Sequence, residues 1–525
     1  MWPIDFERRR YFEKMLLGIA MLNRTMASVK NLLFSPTVRN SGFVVALLLG
    51  MTVQVDAAIA QTLPQPVSEA LQRAGVPLDA VALVVRDASG KDTLVSYNAA
   101  KSMNPASVIK LVTTSAALDL LGPAYAFKTE FYARGEVRNG MLDGDLYVKG
   151  YGDPKLTYER LWAAIRQLRE RGVRDVHGDI VFDRSYFAPV VHDSSRFDGK
   201  ALRAYNVGPD ALLFNYKAIT FRFIPERGAV SISAEPAIPS VEISSRIKLV
   251  NGACGDWQER LAPEIEENGL LATVQFSGNF AERCGEKAWN LSLFDHPRYN
   301  AALFRTLWSE AGGKIFGKTR DAGVPGDARL IFSIDSPPLA DVVRDINKFS
   351  NNVMARQLFL TLSAEATGQP GETARSVEVI KAWLKRKGIE APELVLENGA
   401  GLSRAERISA NTLADLLQVM SSGALMPELI SSLPLVAVDG TMKKRMNGNG
   451  VAGQAHIKGG TLDEVRAIAG EVVDMNGKRW LVVFMVNHPN APASRPVQDI
   501  LLQWVYAHDG PARCRDCPMK GGGKP

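Results

Sequence analysis

Residues 104–110 read Asn-Pro-Ala-Ser-Val-Ile-Lys and open a segment with helical periodicity that continues to about Leu121. Asn104 is a residue type that accepts backbone N–H groups at a helix N-cap. Pro105 suits the first helical position because its missing N–H would have no partner there. The stretch therefore predicts a helix that ends at the Gly-Pro dipeptide following Leu121.

Ser107 and Lys110 lie three residues apart in this predicted helix and therefore share one face. The positive helix N-terminus, burial and any nearby cation each lower the pKa of such a lysine. A neutral amine beside a serine hydroxyl is a general base beside a nucleophile. A second Ser-x-x-Lys, Ser245 to Lys248, occupies an alternating strand pattern. Residues three apart point to opposite faces of a strand, so we exclude this second pair.

Two further motifs follow later in the chain. Residues 350–352 (Ser-Asn-Asn) start an apolar helical run, and residues 458–461 (Lys-Gly-Gly-Thr) precede a pair of predicted strands. Taken alone, Ser350 reads equally well as an N-cap, and the Lys-Gly-Gly as a turn. Taken in chain order after Ser107 and Lys110, however, the three motifs match the signature of penicillin-recognising serine enzymes.

The sequence pattern changes along the chain. Between about 126 and 327, short alternating runs are broken by Gly, Pro, Asn or Asp about every eight to twelve residues. This predicts mostly β structure with one helix at about 156–171. We predict an α+β domain, residues 61–125 plus 328–510, interrupted by this β-rich insertion. The predicted elements of the α+β domain, besides the helix that begins near Asn104, are a hairpin at 78–98, helices at 337–347, 351–366, 374–388, 409–421 and 495–508, and strands at 466–473 and 479–487.

With its three motifs, the sequence resembles the low-molecular-mass class C penicillin-binding proteins, the D-alanyl-D-alanine carboxypeptidase/endopeptidase family of serine peptidases. Four more segments read like that family: LYVKGYGDPKLT (146–157), AYNVGPDALLFNY (204–216), ENGAGLSRAERISANTL (397–413) and SLPLVAVDGTMKKR (432–445). A large β-rich insertion between the first two motifs is also typical of it. The resemblance implies an α+β, penicillin-binding/serine β-lactamase-like transpeptidase domain, no cofactor or metal, peptidoglycan D-Ala-D-Ala peptides as substrates, and β-lactams as inhibitors.

The resemblance also implies a role for each catalytic motif residue. Ser107 attacks the carbonyl of the penultimate D-alanine, and Lys110 accepts its proton. Ser350 relays a proton to the leaving amine with help from Lys458, which also faces the terminal carboxylate. Asn352 holds the substrate amide and orients Lys110.

Other residues are expected to bind the substrate or depart from the family pattern. The backbone N–H groups of Ser107 and Thr461 are expected to form the oxyanion hole, beside Gly460. Gly459 replaces the usual threonine of the third motif, so a hydroxyl for the substrate carboxylate is missing unless Thr461 supplies it. Arg404 is a candidate for substrate binding or a solvated helix-start arginine.

Two further residues differ from those that are typical of the family. Asn351 stands where aspartate is common, and Arg356 stands where the family has glutamate. Neither change removes a group that transfers protons. Asp198, in the insertion, is a weaker candidate for contact with the peptide stem.

The N-terminal 60 residues read as an extension with a secretory signal. Arg39 precedes the apolar run Phe43 to Val55, and Ala58-Ile59-Ala60 supplies a small-residue cleavage site. A run of about 13 residues is shorter than the roughly 20 that span a bilayer. We therefore predict export to the periplasm, with an uncleaved anchor as the alternative, and membrane contact only through this segment or peripherally.

Composition and cysteines bound the remaining possibilities. A chain of 525 residues exceeds one hydrophobic core, and a net charge of +6 without a basic block does not indicate nucleic-acid binding. Proximity favours the pairings Cys254–Cys284 and Cys514–Cys517, the second in the tail at 511–525. A Cys-x-x-Cys there lacks the context of a redox or zinc site. The oligomeric state stays open.

Two other functions stay open beside the peptidase. A serine β-lactamase needs fast deacylation, and neither the insertion nor any recognisable deacylating glutamate favours it. A non-catalytic wall-binding or scaffold protein with the same fold is the other alternative, and the glycine at 459 favours it.

Overall fold

The computed structural model describes residues 62–189 and 192–508. The predicted export signal and the Cys514–Cys517 pair lie outside these residues. The first described part forms α1 (Gln65–Arg73), β1 (Val81–Asp87), β2 (Thr93–Tyr97) and α2 (Lys110–Leu121), with a 3-10 turn at Ala106–Ile109. Strands β1 and β2 confirm the predicted hairpin, and α2 ends at the predicted residue.

The inserted segment has its own sheets and its own core. Its elements are β3 (Lys128–Arg138), β4 (Met141–Gly150), α3 (Tyr158–Glu170), β5 (Asp175–Val176), β6 (Ile180–Asp183), β7 (Ile219–Glu226), β8 (Ala229–Glu235), β9 (Val241–Val250), β10 (Leu261–Asn268), β11 (Leu271–Ala281), β12 (Lys287–Leu291), α4 (His296–Glu310), β13 (Thr319–Asp321) and β14 (Arg329–Asp335). A six-stranded sheet has the order β13-β6-β4-β3-β14 with β5 beside β4, and two three-stranded sheets have the orders β10-β11-β9 and β12-β7-β8. Because β14 pairs with β3, the sheet of the insertion extends to Asp335.

Helix α4 corrects the prediction of a single helix in this segment. Residues 299–304 are buried without interruption, as are Leu307 and Trp308. A helix buried on nearly all sides shows no polar face, so its sequence lacks the amphipathic period that identified α3. Its start is nevertheless marked by Asp295, whose side chain accepts the Arg298 N–H at the N-cap.

The chain then returns to complete the first domain. It forms α5 (Leu339–Phe349), α6 (Asn352–Thr367), α7 (Thr373–Arg386), α8 (Ala410–Ser422), α9 (Met426–Ser432), β15 (Ala455–Leu462), β16 (Val465–Val473), β17 (Arg479–Asn487) and α10 (Arg495–Tyr506). The four predicted helices between 337 and 421, the two predicted strands and the last helix are confirmed. The strand β15, which carries residues 458–461, was not predicted.

One five-stranded antiparallel sheet, ordered β15-β16-β17-β1-β2, joins the two segments of the first domain that precede and follow the insertion. Strands β1 and β17 pair from Val81↔Val486 to Asp87↔Trp480. Side chains alternate between faces along a strand, so Ala82 and Val84 pack with one core while Leu83 packs with another. With both faces covered, these strands read as continuous apolar runs, which makes them easy to predict.

A disulfide joins Cys254 to Cys284 within the insertion and confirms that predicted pairing. Strand β9 carries Ser245 and Lys248, as the alternating pattern predicted. In the part of the chain that the structure describes, we find no helix of the length and apolarity needed to cross a membrane.

Candidate active site

Ser107 lies in the 3-10 turn before α2, and Lys110 is the first residue of that helix. The predicted α-helix therefore begins six residues after Asn104 and not directly after it. Asn104 holds the turn instead: its Oδ1 accepts the Ala106 N–H at 2.9 Å, and its Nδ2 donates to Ser403 O at 2.9 Å. Ala106 has a φ of 45°, a strained conformation of the kind that concentrates at functional sites.

The Lys110 amine lies among three oxygen atoms. Its Nζ is 2.9 Å from Ser107 Oγ and 2.7 Å from Asn352 Oδ1, and it donates to Ala400 O. A neutral amine has two N–H bonds and one lone pair. In that form it can donate to Asn352 and Ala400 while its lone pair accepts the Ser107 hydroxyl proton, whereas an ammonium would donate to all three oxygens. The arrangement therefore accommodates the form of lysine that can accept a proton.

The environment of Lys110 favours that neutral form. The side chain is fully buried. Burial lowers the pKa of Lys110 well below its usual range, the nearby Lys458 and Arg356 charges lower it further, and Glu406 opposes them. Sequence analysis anticipated burial and a second cation as causes, and both are present.

Ser350 occupies the corner between α5 and α6. Its φ of 56° ends α5 in the left-handed conformation. The N-cap of α6 is Asn351, whose side chain accepts the Met354 N–H, so Ser350 is not the N-cap. The Ser350 hydroxyl is therefore left to accept a hydrogen bond from Lys458 Nζ at 2.9 Å.

Lys458 lies within β15, at the edge of the sheet, and not before the strands as the sequence suggested. Its Nζ also donates to Gly459 O at 2.8 Å. Complete burial lowers the pKa of Lys458 to about 7, so this amine changes charge near neutral pH. Lys458 and Ser350 thus form a second hydroxyl–amine pair beside the first.

Strand β15 runs directly against the turn that carries Ser107. A Cβ built at Gly460 would lie 2.6 Å from Pro105 O and 3.1 Å from Ser107 N, so only glycine allows this approach. A Cβ built at Gly459 would have no described atom within 4 Å. Thr461 is exposed. The glycine at 459 therefore leaves open space where a side chain would fit.

Arg404 is exposed at this edge. Its guanidinium is 3.7 Å from the Asp463 carboxylate and stacks 5.2 Å from the Phe197 ring centroid. These contacts do not bring Arg404 to the Ser107 and Lys110 pair. Its role in substrate binding stays a prediction.

The insertion makes contacts with helix α6 that sequence analysis did not predict. Tyr205 O accepts a hydrogen bond from Asn352 Nδ2 at 3.0 Å. Arg356, on the same helix, donates to Val207 O at 2.6 Å. Asp198 accepts from the Tyr205 hydroxyl at 2.7 Å and so braces this loop. The one signal in the sequence was the arginine inside an otherwise apolar helix, because a buried guanidinium needs acceptors.

Three features define the penicillin-recognising class of serine enzymes: a Ser-x-x-Lys pair beside an antiparallel sheet, a second serine from a helix corner, and a lysine on the edge strand. The chain belongs to the D-Ala-D-Ala carboxypeptidase 3 (S13) family, whose model matches residues 63–507. It is therefore a serine peptidase with an α+β fold.

Individual relatives match over most of their length. The chain is 30% identical over 485 residues to a D-alanyl-D-alanine carboxypeptidase of Actinomadura sp. strain R39, covering 84% of this chain and 85% of that one. It is 22% identical over 411 residues to a D-alanyl-D-alanine carboxypeptidase of Haemophilus influenzae, covering 78% and 85%. The crystal structure of penicillin-binding protein 4 from Haemophilus influenzae has the same fold, with a TM-score of 0.70 at 22% identity over 83% of this chain and 99% of that one.

Proposed function

We propose that the protein is a serine D-Ala-D-Ala carboxypeptidase and DD-endopeptidase that acts on peptidoglycan stem peptides and cross-links. The observation that carries the proposal is the Lys110 amine, buried and placed between the Ser107 hydroxyl and two acceptors. Among the described residues, Lys110 is the titratable side chain within hydrogen-bond distance of the Ser107 hydroxyl. Membership of the S13 family supports the substrate class.

Acylation begins when Ser107 Oγ attacks the carbonyl carbon of the penultimate D-alanine and its proton moves to Lys110 Nζ. The negative charge then developing on the carbonyl oxygen faces the backbone N–H groups of Ser107 and Thr461. Each such donor contributes roughly 3–4 kcal/mol in comparable sites. The contact of Gly460 with the Ser107 turn supports this assignment, because it holds β15 beside the nucleophile.

The C–N bond breaks as the leaving amine receives a proton. The Ser350 hydroxyl donates it and is reprotonated by Lys458, which lies 2.9 Å from Ser350 Oγ. In carboxypeptidase action the leaving amine belongs to the terminal D-alanine, and in endopeptidase action to the neighbouring stem peptide. The proton that Lys110 took from Ser107 replaces the one that Lys458 gave up, which returns Lys110 to its neutral form. Water then attacks the ester while Lys110 accepts a water proton, and Lys110 passes this proton to Ser107 Oγ as the ester C–O bond breaks.

A terminal carboxylate faces Lys458 during this reaction. The substrate carboxylate favours the ammonium form of Lys458. Because the pKa of Lys458 is about 7 in the free site, substrate binding determines the charge of this lysine near neutral pH. β-Lactams present a comparable carboxylate and carbonyl, so they are expected to acylate Ser107 and to deacylate slowly.

The proposal is tested with purified muropeptides. We expect released D-alanine from pentapeptide monomers and conversion of cross-linked dimers to monomers, both blocked by prior incubation with benzylpenicillin. Labelling by penicillin without activity on any muropeptide would contradict the proposed substrate. Rapid turnover of a chromogenic cephalosporin would support a β-lactamase, and failure to bind penicillin would support the scaffold function.

We also propose that the protein is exported. The substrate lies outside the cytoplasm, the N-terminal sequence has the order of a secretory signal, and the Cys254–Cys284 disulfide suits an oxidising compartment. Cell fractionation with an antibody against the insertion is expected to place the protein in the periplasm. Recovery only from the cytoplasm would contradict export.

Gly459→Thr is expected to strengthen recognition of the substrate carboxylate. The added side chain enters open space on an edge strand, where threonine is favoured over glycine. A hydrogen bond to a charged group is worth about 1.5–3 kcal/mol, so KM for a D-Ala-D-Ala peptide should fall roughly tenfold or more. Gly459→Ala adds the Cβ without the hydroxyl and is the matched control. An equal KM for both variants would show that the hydroxyl has no role.

A further inference from the structure

A buried glutamate holds the loop whose Ala400 carbonyl accepts a hydrogen bond from Lys110. The Glu406 side chain is fully buried. Its Oε1 accepts the backbone N–H groups of Glu397, Asn398 and Gly399 at 3.3, 3.0 and 3.0 Å. Three donors on one oxygen fix the course of the turn, because each bond would be lost if the turn moved.

This turn, residues 397–401, is attached to the catalytic helix at two consecutive carbonyls. Gly399 O accepts from Thr113 Oγ1 at 2.7 Å, and Ala400 O accepts from Lys110 Nζ. A Cβ built at Gly401, whose φ is 84°, would lie 2.1 Å from Ala106 O. The turn is therefore packed against the residues that carry both Ser107 and Lys110.

The two carboxyl oxygens of Glu406 have different surroundings. Oε2 is buried and has no hydrogen-bond partner among the described residues. A protonated carboxyl would need an acceptor for its O–H, whereas an anion is favoured by three N–H donors. Burial raises the pKa of Glu406 above its usual range, and the N–H donors and the nearby Lys110 offset this effect only in part. The hydrogen bonds thus favour the carboxylate form.

Charges act on Lys110 from three elements packed around it. Strand β15 contributes Lys458, helix α6 contributes Arg356, and the loop before α8 contributes Glu406. The first two disfavour a proton on Lys110, and Glu406 is the one anion that favours it among the groups identified. Glu406 also acts on Arg356, since its charge raises the pKa of that guanidinium against the effect of burial.

We propose that Glu406 is a positioning residue for Lys110. Its carboxylate fixes the turn whose Ala400 carbonyl accepts a hydrogen bond from the lysine amine. Its negative charge also balances the positive charge that Arg356 exerts on that amine. The proposal rests on the proposed function, in which Lys110 accepts the Ser107 proton. Glu406 touches neither substrate nor the reacting atoms. It acts through Lys110.

Glu406→Gln separates charge from geometry. The amide oxygen can still accept the three N–H groups, but the negative charge is lost, so Lys110 deprotonates more easily. The rate of acylation by penicillin rises with pH as Lys110 loses its proton. We therefore expect this rise to move to lower pH by about one pH unit in Glu406→Gln, with a similar rate at its plateau.

Glu393→Gln is the matched control. Glu393 also lies before α8 and accepts a backbone N–H, from Ser409 at 2.9 Å, but it is not among the charges that act on Lys110. Its pH profile should coincide with that of the unmodified protein. A profile of Glu406→Gln that also coincides, or that is lowered equally at every pH, would overturn the proposal.

Arg356→Gln provides a second test of opposite sign. Loss of this positive charge should move the rise to higher pH, which keeps the proposal testable if Glu406→Gln does not fold. Thermal unfolding identifies variants that fail to fold. An unmodified protein that penicillin does not acylate would contradict the proposed function, whereas normal acylation with unmoved profiles in both variants would contradict only the role of Glu406.

Discussion

Ser107→Ala is expected to take up no fluorescent penicillin and to lose at least about a thousandfold of its peptidase activity. The Ser107 hydroxyl is the one within hydrogen-bond distance of Lys110 Nζ, at 2.9 Å, and no other described serine shares this position. Removing one half-buried hydroxyl leaves the packing of the turn unchanged. Labelling followed by denaturing electrophoresis, with thermal unfolding in parallel, measures both effects.

The chain supplies a control for this result. Ser245 belongs to the other Ser-x-x-Lys sequence, on strand β9, and Ser245→Ala should label like the unmodified protein. A labelled Ser107→Ala protein would mean that a different residue is the nucleophile. Ser350 would then be the next hydroxyl to replace, because Lys458 lies beside it.

Lys110→Met is expected to slow acylation by a factor of about a hundred to ten thousand, the usual contribution of a general base. Methionine has a similar length and its apolar side chain suits the buried position of Lys110, but it cannot accept the Ser107 proton. The residual acylation should also lose the rise with pH that Lys110 confers, since its neutral form is the active one and its pKa lies well below the usual range.

Stopped-flow acylation with a chromogenic β-lactam measures this rate across the pH range. Lys248→Met, in the exposed strand, is the control for loss of a lysine. If Lys110→Met acylates at the normal rate, another group activates Ser107. Lys458 would then be the candidate, because its pKa of about 7 also allows a neutral amine.

Much of the fold could be predicted because its signals are local. The apolar runs of β1 and β17, the turn residues of the insertion and the periodicity of the helices depend on neighbours in sequence. Helix α4 was not predicted because burial on nearly all sides removes its polar face. Strand β15 was not predicted because its Gly-Gly is typical of a turn, although here the glycine at 460 allows contact with the Ser107 turn.

The contacts of the site likewise divide into those that local sequence predicts and those that depend on the fold. Ser107 and Lys110 lie within one helical turn, so their contact follows from the sequence alone. The sequence order of the motifs also identified Ser350, Asn352 and Lys458, and the resemblance implied that Lys458 assists Ser350 and that Asn352 orients Lys110. The position of Asn351 as the N-cap, which leaves the Ser350 hydroxyl to Lys458, emerged only from the folded chain.

The sequence by itself predicted Ser107 as the nucleophile and Lys110 as its base, and it indicated the class of enzyme, because these depend on spacing within a turn and on short motifs. Only the tertiary structure decided what surrounds the base. Asn352 and Ala400 contact Lys110 across 242 and 290 residues of chain. Such contacts arise where packed cores bring distant segments together, and the charge of Glu406 beside the amine is a consequence of that packing and not of any local pattern.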